Sequence, residues 1–88
     1  MEYVLFTYPN CQKCEELKSY LKGTPLEGSE VSLVSKDGKL RIREFIDIIR
    51  RDPKGAIILP TLIVLEEGRA AGVLNDREEL RDWLKSRA

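Results

Sequence analysis

The chain contains no histidine, only two cysteines, one tryptophan and one methionine, and no apolar run approaching the ~20 residues that a membrane span needs. These shortages exclude whole classes of site. With no imidazole and no third thiol, a closed zinc or iron–sulfur site of four protein ligands would require a second chain. Neither charge sign is in excess. Fifteen Lys and Arg balance fifteen Asp and Glu, which argues against an electrostatic partnership with nucleic acid or an anionic membrane surface. Met1-Glu2-Tyr3 lacks the basic start of a secretory signal, so a cytoplasmic location and a reducing compartment are the expectation. Side-chain amides are also scarce, with Gln12, Asn10 and Asn75 the whole set, while charged residues reach 34%. That combination is also found in heat-adapted proteins. No linker, repeat or low-complexity tract appears, and 88 residues are enough for one domain, 1–88, with a single core.

What is present is concentrated in Pro9-Asn10-Cys11-Gln12-Lys13-Cys14-Glu15-Glu16-Leu17, where both cysteines sit between an expected strand and an expected helix. A helix opening near Cys11 leaves its first N–H groups unpaired and carries partial positive charge, and both favour a thiolate there. Cys11 is the candidate nucleophile, with a pKa expected in the roughly 3.5–7.5 range of activated thiols. Cys14, one helical turn further in, is the candidate resolving cysteine. Lys13 adds a mobile cation and Glu15 and Glu16 oppose it. Tyr8 either contacts substrate or covers the helix terminus. A structural disulfide is disfavoured, because so short a ring restrains little of the unfolded chain. A metal carrier, or a dimer bridging an iron–sulfur cluster through these cysteines, is the alternative. The known small metal carriers with two thiolates end in a strand, whereas this chain ends in an amphipathic helix.

Along the chain, Tyr3-Val4-Leu5-Phe6-Thr7 reads as a central strand covered on both faces. The helix after it carries Cys14, Leu17 and Leu21 on one face and stops at Gly23 and Pro25. Glu30 to Val34 alternates as a second, parallel strand, with a turn at Lys36-Asp37-Gly38-Lys39. Leu40 to Arg51, with Ile42, Phe45, Ile46 and Ile49 at helical spacing, predicts an amphipathic helix broken by Asp52-Pro53-Lys54-Gly55. Its Arg41, Arg43, Arg50 and Arg51 are interleaved with Glu44 and Asp47, and read as a solvated face rather than a phosphate patch. Ile57-Ile58-Leu59 is expected beneath the active site. Leu62–Leu65 and Arg69–Val73 predict a hairpin with a three-residue loop, Glu66-Glu67-Gly68. Asn75 as cap with Glu78 opens a last helix docked by Leu80, Trp83 and Leu84, with Trp83 in the core. The order is β-α-β-α-β-β-α, an α/β chain with a four-stranded mixed sheet flanked by helices.

This order, with Thr7-Tyr8-Pro9-Asn10-Cys11-Gln12-Lys13-Cys14, Leu59-Pro60-Thr61 and Ala71-Gly72 followed by Asn75-Asp76, resembles the glutaredoxin-like branch of the thioredoxin fold over the whole chain. The resemblance implies a thiol–disulfide oxidoreductase with no bound cofactor, acting as a monomer on a disulfide-containing protein or small thiol. It implies a cis Pro60 facing Cys11, with the Leu59 main chain pairing to an extended substrate. It also implies that Gly72, as a glycine turn, and Asn75 and Asp76, at the start of the last helix, join Tyr8, Lys13, Leu59 and Pro60 in substrate binding. The chain departs from the glutathione-using members at several points. Tyr8 stands where they carry a basic residue, Gln12 where Pro is common, Ile58-Leu59 replaces Thr-Val, and Ala71-Gly72 replaces a double glycine. From the thioredoxins proper it departs in lacking a Trp before the first cysteine and an acid in the preceding strand. The reductant therefore stays open between glutathione and a reductase of the thioredoxin-reductase type.

Overall fold

A run such as Tyr3–Phe6 keeps apolar side chains out of water on both sides only in the interior of a sheet, and that is its place. In the computed structural model, which describes residues 1–87, β1 (Glu2–Thr7) is an inner strand of a four-stranded sheet of order β2-β1-β3-β4. β2 (Glu27–Ser32) runs parallel to it, β3 (Thr61–Glu66) antiparallel, and β4 (Arg69–Leu74) antiparallel to β3. Between the strands lie α1 (Gln12–Leu21) and α2 (Lys36–Ile42), the latter running into a 3-10 turn at Arg43–Phe45, and α3 (Arg77–Ser86) follows β4. The alternation of side chains along β1 and β3 splits the core in two. Leu5, Leu62 and Val64 pack under Leu17 and Leu21 of α1 and Leu80 of α3, with Trp83 and Leu84 at the margin. Val4, Phe6, Ile63 and Leu65 point to the other face and meet Ile42, Ile49, Phe45 and Ile57. Among the described residues no helix is long and apolar enough to cross a membrane.

Several boundaries differ from the sequence reading, each for a local reason. β2 starts at Glu27 rather than Glu30, because Pro25 and Leu26 end the loop after α1 and Glu27, Gly28 and Ser29 pair at once with Glu2, Tyr3 and Val4. It is an edge strand, and its first four residues are exposed, so its start carries no apolar alternation. The expected turn at Lys36–Lys39 is instead the first turn of α2. Ser35 caps it, its hydroxyl accepting from the Gly38 N–H at 3.0 Å, and Gly38 is required because a Cβ there would overlap the Ser32 carbonyl. The long helix predicted to Arg51 ends early. Ile46 and Ile48 donate to Arg43 and Phe45 in i to i−3 bonds, which tighten the chain, and both isoleucine side chains are exposed. The β3–β4 loop has two residues, not three. Glu67 (φ 53°) and Gly68 (φ 79°) both take left-handed conformations, as a tight hairpin turn demands, and the irregularity in the pair lies instead between Val64 and Leu65.

Candidate active site

β1 delivers the chain to the site. After Thr7 the backbone passes Tyr8 and Pro9, turns through Asn10 in a left-handed conformation (φ 58°), and enters α1 with Cys11 as its N-cap. The Cys11 Sγ takes the capping position, accepting from the Cys14 N–H at 3.2 Å, and the Cys11 carbonyl accepts from Glu15 N–H at 3.2 Å. The two cysteines form a disulfide with a Cα–Cα separation of 5.2 Å. They are not equivalent. Cys14 is 2% exposed, on the face of α1 that continues into Leu17 and Leu21, whereas Cys11 is half-buried beside a depression lined by Asn10, Gln12 and Glu15.

Phe6 of β1 pairs with Thr61 of β3, so the loop leading into β3 leaves the sheet at the same end as the Tyr8–Cys11 loop. The Leu59–Pro60 bond in that loop is cis, with Pro60 buried and Leu59 half-buried. Ile57, partly buried, packs against the core cluster on the α2 side of the sheet. Tyr8, three residues before Cys11, is 52% exposed. Lys13 and Asp76 line a cleft of about 200 Å³ with Glu16, Arg77 and Glu78, where the N-termini of α1 and α3 converge.

Two of the expected site residues have a different position. Gly72 is not in a turn but inside β4, paired with Val64, and a Cβ there would come within 2.7 Å of the Trp83 indole nitrogen. Its smallness serves the packing of α3. Asn75 is not the helix cap. Asp76 caps α3 by accepting from Glu79 N–H at 2.8 Å, while the Glu79 carboxylate reaches back to Asn75 N–H at 2.8 Å, so the capping box is displaced by one residue. The Asn75 side chain is 8% exposed and turned onto the loop before β3. Arg50, read as part of a solvated face, hydrogen-bonds to it.

One group near the site escaped the sequence reading. Thr7 Oγ1 donates to Glu30 Oε2 at 2.8 Å, and Lys18 of α1 pairs with Glu30 Oε1 at 3.1 Å, tying β1, β2 and α1 together. The Thr7 hydroxyl, and after it the Lys18 ammonium, hold the Glu30 carboxyl below its ordinary value. Glu30, then Glu15, raise Lys18. The Glu30 pKa is lower in the folded than in the unfolded chain, so its contribution is complete above the ordinary carboxylate value and is lost as pH falls through the folded value. The raised Lys18 works the other way, its contribution complete below the ordinary lysine value and lost as pH rises through the folded one. Thr7→Val is therefore expected to flatten the acid-side loss of stability, its urea midpoint lying below wild type near neutrality and approaching it as Glu30 protonates. Parallel midpoint curves for the two proteins would remove this reading.

Among the described residues no three His, Cys, Asp or Glu side chains converge as a metal site. No family model matches the chain. No curated protein matches it in sequence. Among solved structures, one described as a malarial protein superposes at a TM-score of 0.65 with 17% identity, covering 97% of this chain and 93% of that one. Thioredoxin 1 from the thermophilic eubacterium Thermosipho africanus TCF52B superposes at 0.62 with 10% identity, covering 99% of this chain and 98% of the other. With the strand order β2-β1-β3-β4 and a disulfide at the head of the first helix, these overlaps make the chain a thioredoxin-fold protein of the Cys-x-x-Cys type.

Proposed function

We propose that the protein is a glutaredoxin-like thiol–disulfide oxidoreductase in which Cys11 attacks and Cys14 resolves. The observation that carries this reading is the unequal burial of two cysteines already within bonding reach at a helix N-terminus. In the reduced protein the first-turn N–H groups, that of Cys14 among them, face the Cys11 sulfur and favour its thiolate. The thiolate attacks one sulfur of a substrate disulfide, a Cys11–substrate bond forms, and the other substrate sulfur leaves as a thiolate and takes a proton. Cys14 then gives up its proton and attacks Cys11 Sγ, which restores the intramolecular disulfide and releases the second substrate thiol. Two electrons pass from the dithiol to the substrate. An outside thiol pair or a reductase returns them.

An extended substrate is offered main-chain partners at the end of the sheet that carries the disulfide, because the Leu59 N–H and C=O make no hydrogen bond among the described residues. Exposed Tyr8, and Lys13 and Asp76 in the neighbouring cleft, are assigned to substrate contact. The test is NADPH consumption with a dialkyl disulfide, supplied through glutathione and its reductase in one arm and through thioredoxin reductase in the other. Turnover above the thiol-only background is expected in at least one arm. No protein-dependent rate in either arm, with Cys11 and Cys14 shown to be reduced, would refute the assignment.

A further inference from the structure

We infer that Arg50, Asn75 and Glu79 form a clamp whose task is to hold the Leu59 main chain open for substrate, which makes Asn75 a positioning residue; the inference rests on the oxidoreductase reading above. The centre of the clamp is a buried amide. Asn75 is 8% exposed, and its Nδ2 donates to the carbonyls on either side of Leu59, that of Pro60 at 3.0 Å and that of Ile58 at 3.2 Å, with the Thr61 hydroxyl at the longer 3.4 Å. An amide nitrogen has two hydrogens, and these two carbonyls take them. The carbonyl between, that of Leu59, is left without a partner among the described residues. One side chain thus fixes the loop from both flanks and leaves the central peptide free.

The amide is itself held from the other side. Its Oδ1 accepts from Arg50 Nη1 at 3.1 Å, which fixes which end of the amide faces the loop. Arg50 also pairs with Glu79, whose other carboxylate oxygen accepts the Asn75 N–H. The Arg50 carbonyl accepts Ile58 N–H at 3.2 Å, so the same residue grips the loop by its main chain. Glu79 belongs to α3 and Arg50 to the segment after the 3-10 turn, so the clamp joins three parts of the chain at the end of the sheet that carries the disulfide. Only an amide satisfies all of these contacts. An aspartate at position 75 has no donor and would set a carboxylate against two carbonyl oxygens.

The test compares two disulfides, a cyclic or mixed disulfide within an extended peptide and a small dialkyl disulfide that has no main chain to pair. Losing the two hydrogen bonds by which the Asn75 amide positions the loop corresponds to about tenfold or more. Asn75→Ala is expected to lower the ratio of kcat/KM for the peptide to that for the small disulfide by about this factor, through a raised KM for the peptide. Arg50→Gln, at a half-exposed side chain, should lower the ratio by roughly threefold, as expected when the amide keeps its donors but loses its orientation. Asn75→Asp should fail to restore it. Equal losses on both substrates, or an unchanged ratio in both variants, would overturn the positioning role. Hydrogen exchange separates this failure from failure of the oxidoreductase reading, because it needs no turnover. The Ile58 amide should exchange faster in Asn75→Ala while the Leu5 amide does not, and an unchanged Ile58 rate would overturn the clamp even in a protein inactive on both disulfides.

Discussion

Cys11→Ser is expected to abolish disulfide turnover, a fall on the order of 10³-fold or more, while Cys14→Ser keeps the first half of the reaction and stops there. The difference follows from position. A serine hydroxyl at the α1 N-cap can accept the same first-turn N–H bond, but near neutral pH it supplies no anion comparable to a thiolate, so the attack step is lost. Cys14, 2% exposed beneath the cap, cannot replace it, because a substrate sulfur has no approach to a side chain on the buried face of α1. In Cys14→Ser the attacking thiolate is intact and the resolving thiol is gone, so the Cys11–substrate disulfide accumulates. Mass spectrometry of each variant after incubation with an excess of a small disulfide reads both outcomes. One adduct on Cys14→Ser and none on Cys11→Ser is the expected pattern.

Phe6→Ala is expected to destabilise the fold by about 3–5 kcal/mol, a large share of the ~5–15 kcal/mol typical of a whole domain. Phe6 has 0% exposure and sits where β1 meets the second core cluster, among Val4, Ile42, Ile49, Ile63 and Leu65. Its ring meets that of Phe45 edge-on, with centroids 6.1 Å apart and planes at 61°, a geometry that adds to the effect of burial alone. Phe45 belongs to the tight 3-10 turn and packs against this cluster, so closing over the void would have to move that turn. Urea unfolding followed by the Trp83 fluorescence gives the number. A loss under about 1 kcal/mol would mean that the second cluster is loosely packed and adapts.

How much of this was legible in the sequence depended on whether the signal was local. The run Tyr3–Phe6, the face Cys14-Leu17-Leu21 and the strand around Leu62–Leu65 each carry their burial in neighbouring residues, and all three are where the pattern put them. Edge position hid the start of β2, since Glu27, Gly28 and Ser29 are exposed and pair only through the backbone. Asp37-Gly38 looked like a turn because the pair is common there, yet Ser35 two residues earlier is the cap that starts α2. Ile42, Phe45, Ile46 and Ile49 have helical spacing, but only Ile42 and Ile49 are buried, and the chain between them tightens instead of continuing as a helix.

The site divides the same way. Cys11 and Cys14 announce themselves by spacing, whereas the Asn75 side chain bonds to residues 14 to 25 positions away and no local pattern marks it. The Thr7–Glu30 hydrogen bond, across 23 positions, was hidden for that reason too. An Asn before Asp76 looks like a helix cap, and only the one-residue displacement of the capping box frees its side chain for the loop.

Cys11, and not Cys14, is expected to be the reactive thiol, and limiting iodoacetamide tests this most directly. The fully reduced protein is alkylated to less than one equivalent near neutral pH, digested, and the label located by mass spectrometry. The expected result is label on Cys11 in large excess, with a pH dependence centred below the ~8.5 of an ordinary thiol. Label mainly on Cys14, or equal label on both with an ordinary thiol pH dependence, would contradict the assignment of attacking and resolving roles.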